Sequence, residues 1–360
     1  MEAALFDFEL PPEAIAQKPT ERRDDAKLLC VDRQTKAVTH HQIRDLPELL
    51  GTPYAIIRNN ARVLRARLRG QRETGGKVEC LLLHPGQNPE EWWCLLKPGK
   101  KLPVGTTFSI GSDDEATVLD KSEEGQCLVR FTLHSAKSVL ELSERDGEMP
   151  LPPYIRRDGP EDPRTELDRD RYNTVYAAPD QTVAAAAPTA GLHFTPELIA
   201  ELKQGGHQFH DLTLHVGLDT FRPIQADEIE AHVMHSETYE IPSSTVAALQ
   251  PNPTHPRLAV GTTSLRASED YARKIQAGAT NSPNEAFVSA ANLFIYPPNR
   301  FAVEALLTNF HLPRSTLLCL VSSFLTPEST DGIEWLKDIY REALDRNYRF
   351  YSYGDAMLIS

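Results

Sequence analysis

Five short segments concentrate imidazole, hydroxyl, guanidinium and glycine in an apolar frame: APTAGLHFT (187–195), LHVGLDTFRP (214–223), AHVMHSE (231–237), VGTTSLRASE (260–269) and TNFHLPRST (308–316). His193, His215, His232, His235 and His311 all fall within them. Imidazole changes charge near neutral pH, so these residues suit general acid–base work. A lone histidine at a strand end usually just bonds to backbone, and five in such segments weigh against that reading. His232 and His235 are three residues apart, a spacing compatible with metal binding from one helical face. The carboxylates nearby are equally well explained as a solvated helix face, and no metal site is expected. In VGTTSLR, a strand running into a helix leaves backbone N–H groups and the hydroxyls of Thr262, Thr263 and Ser264 free to grip an anion or polar ligand, with Arg266 in the first turn. Ordinary helix capping by Ser264 accounts for the string equally well.

Arg58, Arg62, Arg65, Arg67, Arg69 and Arg72 crowd into RNNARVLRARLRGQR with no acid among them, the clearest basic patch in the chain. It reads as a solvated face or as a site for an anionic partner, and KPGKK (97–101) adds to it if the fold places it nearby. The formal net charge of -13 argues against a protein that coats nucleic acid, so any such contact must be local. GxGxxG, P-loop, GxSxG and HExxH strings are missing, which removes the usual signals for dinucleotide, nucleotide, hydrolase and zincin chemistry. The 5 cysteines form no CxxC pair and leave an odd thiol, as expected in a reducing, cytoplasmic compartment. The amino-terminal string MEAALFDFELPPE has no basic region ahead of an apolar stretch and does not read as a signal peptide. The apolar run 317–325 is too short to span a membrane and reads as a buried helix.

These groups need a frame. At 360 residues the chain has room for one large core and a second, smaller domain. Short β-prone runs at 78–83, 92–96, 106–110, 116–119 and 127–133, separated by turn residues, predict a small antiparallel sandwich or barrel. The Pro-rich, charged stretch 149–166 is expected to cross the surface between domains, which puts a boundary near Pro150. Strands and helices alternate after it. Thr195 caps a helix with Pro196 first and Gly205 past its end, and the next strand puts Leu212, Leu214 and Val216 on one side with Thr213 and His215 on the other. Strands at 257–260 and 305–308 run into helices through GTTS and HLPRS, and Ile333, Leu336, Tyr340 and Leu344 share a helical face. This alternation predicts a layered α/β domain with its functional residues in loops that follow strand ends.

Read in order, FDFELPPEAIAQKP, MPLPPYI, RYNTVY, APTAGLHFT, LHV, HVMHSE, VGTTSLR, LFIYPP, LLTNFHLPRSTLLCLVSSF and YRFYSYGDAMLI resemble the S-adenosylmethionine:tRNA ribosyltransferase-isomerase family of queuosine biosynthesis nearly end to end. The resemblance implies a layered α/β catalytic domain, residues 1–57 and 151–360, interrupted by a small antiparallel β-barrel domain, residues 58–150. It implies transfer and isomerisation of the ribosyl moiety of S-adenosylmethionine onto 7-aminomethyl-7-deazaguanine at the tRNA wobble position, giving epoxyqueuosine with release of adenine and methionine. S-adenosylmethionine is then a cosubstrate, and no permanently bound cofactor or metal is implied. The expected partner is the tRNA anticodon stem-loop, contacted by Arg58, Arg62, Arg65, Arg67 and Arg69, and the protein is expected to be a monomer with no membrane association. For proton transfer the resemblance points to His193, His215, His232, His235, Glu237 and His311. For substrate contacts it points to Thr189, Gly191, Thr262, Thr263, Arg266 and Asn309. Asp219 stands where the family usually has Gly, and Ala61 and Arg65 stand where it usually has Thr and Pro. The alternative is a catalytically altered relative that binds tRNA or S-adenosylmethionine without making epoxyqueuosine, and a histidine-based metal hydrolase is a third reading.

Overall fold

The computed structural model describes residues 1–111, 113–159, 162–184, 186–215, 224–234, 236–251, 253–279 and 285–360. The chain first forms β1 (Lys27–Val31), β2 (Val38–Gln42), α1 (Leu46–Leu49), β3 (Ala55–Asn59) and the two-residue β4 (Arg62–Val63). Six strands follow: β5 (Arg67–Gln71), β6 (Lys77–Pro85), β7 (Glu91–Lys97), β8 (Thr107–Ile110), β9 (Asp114–Lys121) and β10 (Cys127–Thr132). Helices α2 (Val139–Asp146) and α3 (Arg164–Arg171) lead to β11 (Thr182–Ala184). Next come α4 (Pro196–Gln204), β12 (Gln208–Leu214), β13 (Glu237–Ile241), α5 (Ser243–Leu249), β14 (Arg257–Val260) and α6 (Thr262–Gln276). The chain closes with β15 (Phe287–Ala291), β16 (Ala305–Asn309), α7 (Thr316–Leu325), α8 (Gly332–Asp345) and β17 (Ala356–Ile359).

Local rules account for the helix ends. Thr195 Oγ1 accepts the Leu198 N–H at 3.1 Å with Pro196 in the first turn, so α4 starts where its orphan donors are met. α7 is apolar all round and accordingly buried, whereas α8 buries one stripe, including Ile333, Leu336 and Tyr340.

The large sheet has the order β15-β13-β12-β3-β14-β16-β17-β1-β2. Its central strands β12, β3, β14 and β16 are mutually parallel, and β17 runs against β16. Strand alternation divides the core into layers. Leu29, Val31, Leu306, Met357 and Ile359 pack with α7 and α8, whereas Leu28, Ile56, Leu258, Leu307 and Leu358 pack with α1 and α4. A third cluster sets Ile57, Leu212, Leu214 and Tyr239 against Val246 of α5 and Ala267 and Tyr271 of α6.

The six strands β5 to β10 close into a barrel in the order β10-β7-β6-β5-β8-β9. Closure leaves the barrel without a free sheet edge. Its interior is filled by alternate residues such as Leu68, Val78, Leu82, Phe108, Val118 and Phe131, together with the thiols Cys80, Cys94 and Cys127, and Val139 and Leu142 of α2 pack on it. The fold is therefore α/β with a small antiparallel barrel.

Two sequence expectations change here. The limit at residue 58 cuts through β3, where Arg58 and Asn59 pair with Asp211 and Leu212 of β12, so the chain leaves the large sheet only after Asn59. The Pro-rich stretch departs from the expected surface course in its first part, where Met149, Leu151 and Ile155 are buried with Val63, Tyr172, Leu192 and Tyr353, whereas Arg156, Asp158, Pro163 and Glu166 are exposed. Proline has no backbone N–H to satisfy, so such a segment can enter a core with few hydrogen bonds. Asp168, itself buried, anchors the region by accepting two hydrogen bonds from Arg157 at 2.6 Å and one from the Tyr353 hydroxyl at 2.8 Å.

Candidate active site

Parallel strands deliver their carboxyl ends to one edge of the sheet, and that edge collects the polar segments. His215 follows β12, Gly261 to Thr263 follow β14, and Phe310 and His311 follow β16. The start of β17 comes to the same edge, with Ala356 opposite Asn309. The segment Thr189–His193 makes one tight helical turn beside Gly261. Gly191 in that turn is required, since a Cβ there would lie 2.0 Å from the Tyr176 hydroxyl. Gly261 has φ +89, a conformation open to glycine, and it aims the first turn of α6 into the space between these segments.

That space is a cleft whose empty volume, open mouth included, is about 640 Å³. Thr189, Thr262, Thr263, Asn309 and His311 line it. Tyr154, Phe310 and Tyr351 supply aromatic surface, with the Tyr154 and Tyr351 ring centroids 4.5 Å apart. Tyr351 holds φ 71, a costly conformation for an aromatic residue and one that structures tend to retain at functional sites. Tyr154 and Tyr351 sit in MPLPPYI and YRFYSYGDAMLI, strings with no imidazole, so a search for acid–base groups passes over them.

The amino terminus of α6 has no side-chain cap and no acid in its first turn. The Ser264 hydroxyl turns back to the Val260 carbonyl at 2.8 Å, which disposes of the capping explanation and leaves the first N–H groups available to an anion or acceptor. Thr263 Oγ1 is buried without a protein partner.

The histidines divide. His311 lies in the cleft wall, shares a 2.9 Å hydrogen bond with Thr308 Oγ1, and is held by burial at a pKa of about 3. His193 does not line the cleft: it stands behind Asn309, and burial with the nearby Arg349 and Arg23 charges lowers its pKa to about 3 as well. Both imidazoles are therefore neutral at neutral pH and weak as bases. His215 is half-buried, its Nδ1 has no partner, and burial lowers its pKa while the Glu240 charge opposes this. His232 packs edge-on against Phe294 at 5.5 Å. His235 and Asp219 lie outside the described residues. Glu237, at the start of β13, and Arg266, in α6, form a buried ion pair with each other. Among the described residues, no group of three or more His, Cys, Asp or Glu side chains is arranged to hold a metal ion.

The arginine run has a different fate from the one its sequence suggests. Arg58 is buried, ion-paired with Asp211 and stacked against Tyr176 and Phe209. Arg62 and Arg65 pair with Glu144, Arg67 with Glu79, and Arg69 with both Glu79 and Glu148. Lys97, Lys100 and Lys101 of the barrel are exposed and have no ion-pair partner among the described residues, and Lys121 joins them by donating to the Gly99 carbonyl at 2.8 Å.

A mixed sheet that carries a polar, aromatic-walled cleft at the carboxyl ends of its parallel strands defines an α/β protein built to hold a small polar ligand. The chain belongs to the family described as Queuosine biosynthesis protein, which it matches over residues 3–359. It is 42% identical over 364 residues to the S-adenosylmethionine:tRNA ribosyltransferase-isomerase of Thermotoga maritima, covering 100% of both chains. It is 44% identical to the protein of the same name from Gloeobacter violaceus, over 98% of this chain and 94% of that one. It is also similar to the crystal structure of S-adenosylmethionine tRNA ribosyltransferase from Thermotoga maritima, with a TM-score of 0.53 and 34% identity over 99% of this chain and 100% of that chain. Among the described residues, no helix is long and apolar enough to cross a membrane.

Proposed function

We propose that this chain is an S-adenosylmethionine:tRNA ribosyltransferase-isomerase that moves the ribosyl moiety of S-adenosylmethionine onto 7-aminomethyl-7-deazaguanine at the tRNA wobble position. The products are epoxyqueuosine in the RNA, adenine and methionine. The observation that carries this reading is the meeting of APTAG, GTTS, TNFHL and the Tyr351–Ser352 pair around one cleft. The aromatic residues offer a wall for the purine, and the open amino terminus of α6 suits the carboxylate of the amino-acid part. The sulfonium acidifies the C5′ proton. Its removal opens the ribose and expels adenine, the aminomethyl nitrogen adds to the resulting vinyl sulfonium, and ring closure with loss of methionine forms the epoxide. In this reading the threonine hydroxyls and N–H groups of the cleft bond a transient alkoxide.

In this reading the large sheet is the catalytic unit and the inserted barrel holds the anticodon stem-loop. The lysines Lys97, Lys100, Lys101 and Lys121 suit that task better than Arg62, Arg65, Arg67 and Arg69, whose charges are already met by glutamates. The test is a product assay with S-adenosylmethionine and a stem-loop carrying 7-aminomethyl-7-deazaguanine. Adenine and methionine are expected in equal amounts as the RNA gains the epoxycyclopentane unit, and an unmodified guanine stem-loop is expected to be inert. Methyl transfer without adenine release would defeat the reading.

A further inference from the structure

Asn309 occupies an unusual position among the cleft residues. It is 3% exposed, and its amide nitrogen is surrounded by three acceptors. Nδ2 donates to His193 Nε2 at 3.2 Å, to the Tyr351 carbonyl at 3.2 Å and to the Asp355 carbonyl at 3.4 Å. Oδ1 has no protein partner. Turning the amide over would set its oxygen against the Tyr351 and Asp355 carbonyl oxygens, replacing attractions with repulsions. The acceptors therefore fix which end of the amide is spent on the protein and which end is left without a partner, in a residue that lines the cleft.

His193 completes this arrangement only while it is neutral with Nε2 unprotonated. An imidazole whose Nε2 accepts the Asn309 N–H carries its proton on Nδ1. Arg23 donates to the Leu192 carbonyl at 3.0 Å, which ties the Thr189–His193 turn to the amino-terminal segment. A proton on Nε2 would confront the Asn309 N–H and drive the amide round. The low pKa of His193 is consistent with this geometry.

We propose that Asn309 Oδ1 recognises a hydrogen-bond donor, N–H or O–H, on the nucleoside of the ligand, and that His193 is the positioning residue that keeps this oxygen presented rather than a proton-transfer group. The inference rests on the functional reading above, since it takes S-adenosylmethionine to be the ligand. A buried acceptor with no protein partner is costly when empty and becomes satisfied when a matching donor arrives, so it selects for ligands that carry one.

The test is calorimetric binding of S-adenosylmethionine to the whole protein saturated with the inert, unmodified guanine stem-loop, paired with the rate of adenine release with the stem-loop that carries 7-aminomethyl-7-deazaguanine. Thermal melts establish that each variant is folded. Asn309→Leu is expected to weaken binding about 5- to 150-fold, because it leaves a donor unpaired in a buried site. His193→Phe keeps a ring but removes the acceptor and is expected to weaken binding in the same direction, whereas His193→Gln, whose side-chain oxygen can take the Asn309 N–H, is expected to recover most of the loss in both affinity and rate. Asn309→Asp adds a signature that a purely structural role does not produce: its affinity should rise as pH falls below about 6, when the protonated acid regains a donor for the surrounding acceptors. Unchanged affinity in a folded Asn309→Leu protein overturns the assignment. So does a His193→Gln protein that binds normally yet releases adenine as slowly as His193→Phe, since that pattern belongs to a proton-transfer group. Absence of binding by the unaltered chain would instead defeat the functional reading, and the inference with it.

Discussion

Replacing Glu237 by Gln separates a structural role from a chemical one at the most buried charge pair on the site's edge of the sheet. Glu237 and Arg266 are each 8% exposed, so solvent screens their attraction weakly. Arg266 Nε has no hydrogen-bond partner, which leaves the guanidinium dependent on the carboxylate for its compensation. Removing one charge of a buried pair strands the other, at a cost of about 3–5 kcal/mol. For 360 residues, an unfolding entropy of about 2.1 cal/mol/K per residue gives about 0.76 kcal/mol/K, so the melting temperature should fall by about 4–7 °C. Arg266→Met should fall by a similar amount. The double variant Glu237→Leu with Arg266→Met should recover much of the loss, because apolar residues of similar volume often replace buried ion pairs without penalty. Calorimetric melts of the three variants measure this, and adenine release well below the melting temperature measures activity per folded molecule. If Glu237→Gln melts with the parent protein while its rate drops by about 10²–10⁴-fold, the ion pair is not structural and Glu237 is a proton-transfer group.

Three further outcomes are expected. Glu269 is buried in α6 and accepts the Ala302 and Val303 N–H groups, and burial raises its carboxyl from 4.5 to about 7. The folded state therefore holds this proton more tightly than the unfolded chain, so stability should decline as pH rises from about 4.5 to about 7, by at most about 3 kcal/mol, and Glu269→Gln should flatten that slope in denaturant titrations. Gly191→Ala should cost about 1–3 kcal/mol through the clash with Tyr176, and adding Tyr176→Phe should recover only part of it, because the hydroxyl bonds to nothing it would lose but the added Cβ still meets Thr174 Cγ2 at 2.9 Å; a Gly191→Ala protein as stable as its parent would contradict the close approach. Neutralising Lys100 or Lys101 should lower the log–log salt slope of stem-loop binding by about 0.7–0.9 each, whereas neutralising Arg62 should leave it nearly unchanged, and the reverse pattern would return the RNA to the arginine run.

Local pattern alone determined much of this protein. The alternation of short β-prone runs specified five of the six barrel strands, β6 to β10, though not β5, and the Thr195, Pro196 and Gly205 signals placed α4, because strand period and helix capping are properties of a few neighbouring residues. The same locality put Thr262, Thr263, Asn309 and His311 at or after strand ends, and parallel strands necessarily bring such ends to one edge. What the sequence left open was decided by partners far away in the chain. The arginine run looks unpaired in RNNARVLRARLRGQR, yet Arg65 meets Glu144 and Arg69 meets Glu148, 79 residues on in each case, and no local period encodes such contacts. The start of a Pro-rich string that reads as surface, Met149 to Ile155, became core because Tyr172 and Tyr353 cover it. His193 looked like a base among other bases until tertiary packing buried it behind Asn309. Whether an imidazole moves protons or merely orients a neighbour depends on its desolvation and on which atoms lie within 3 Å or so of its nitrogens, and both are set only when the chain closes around it.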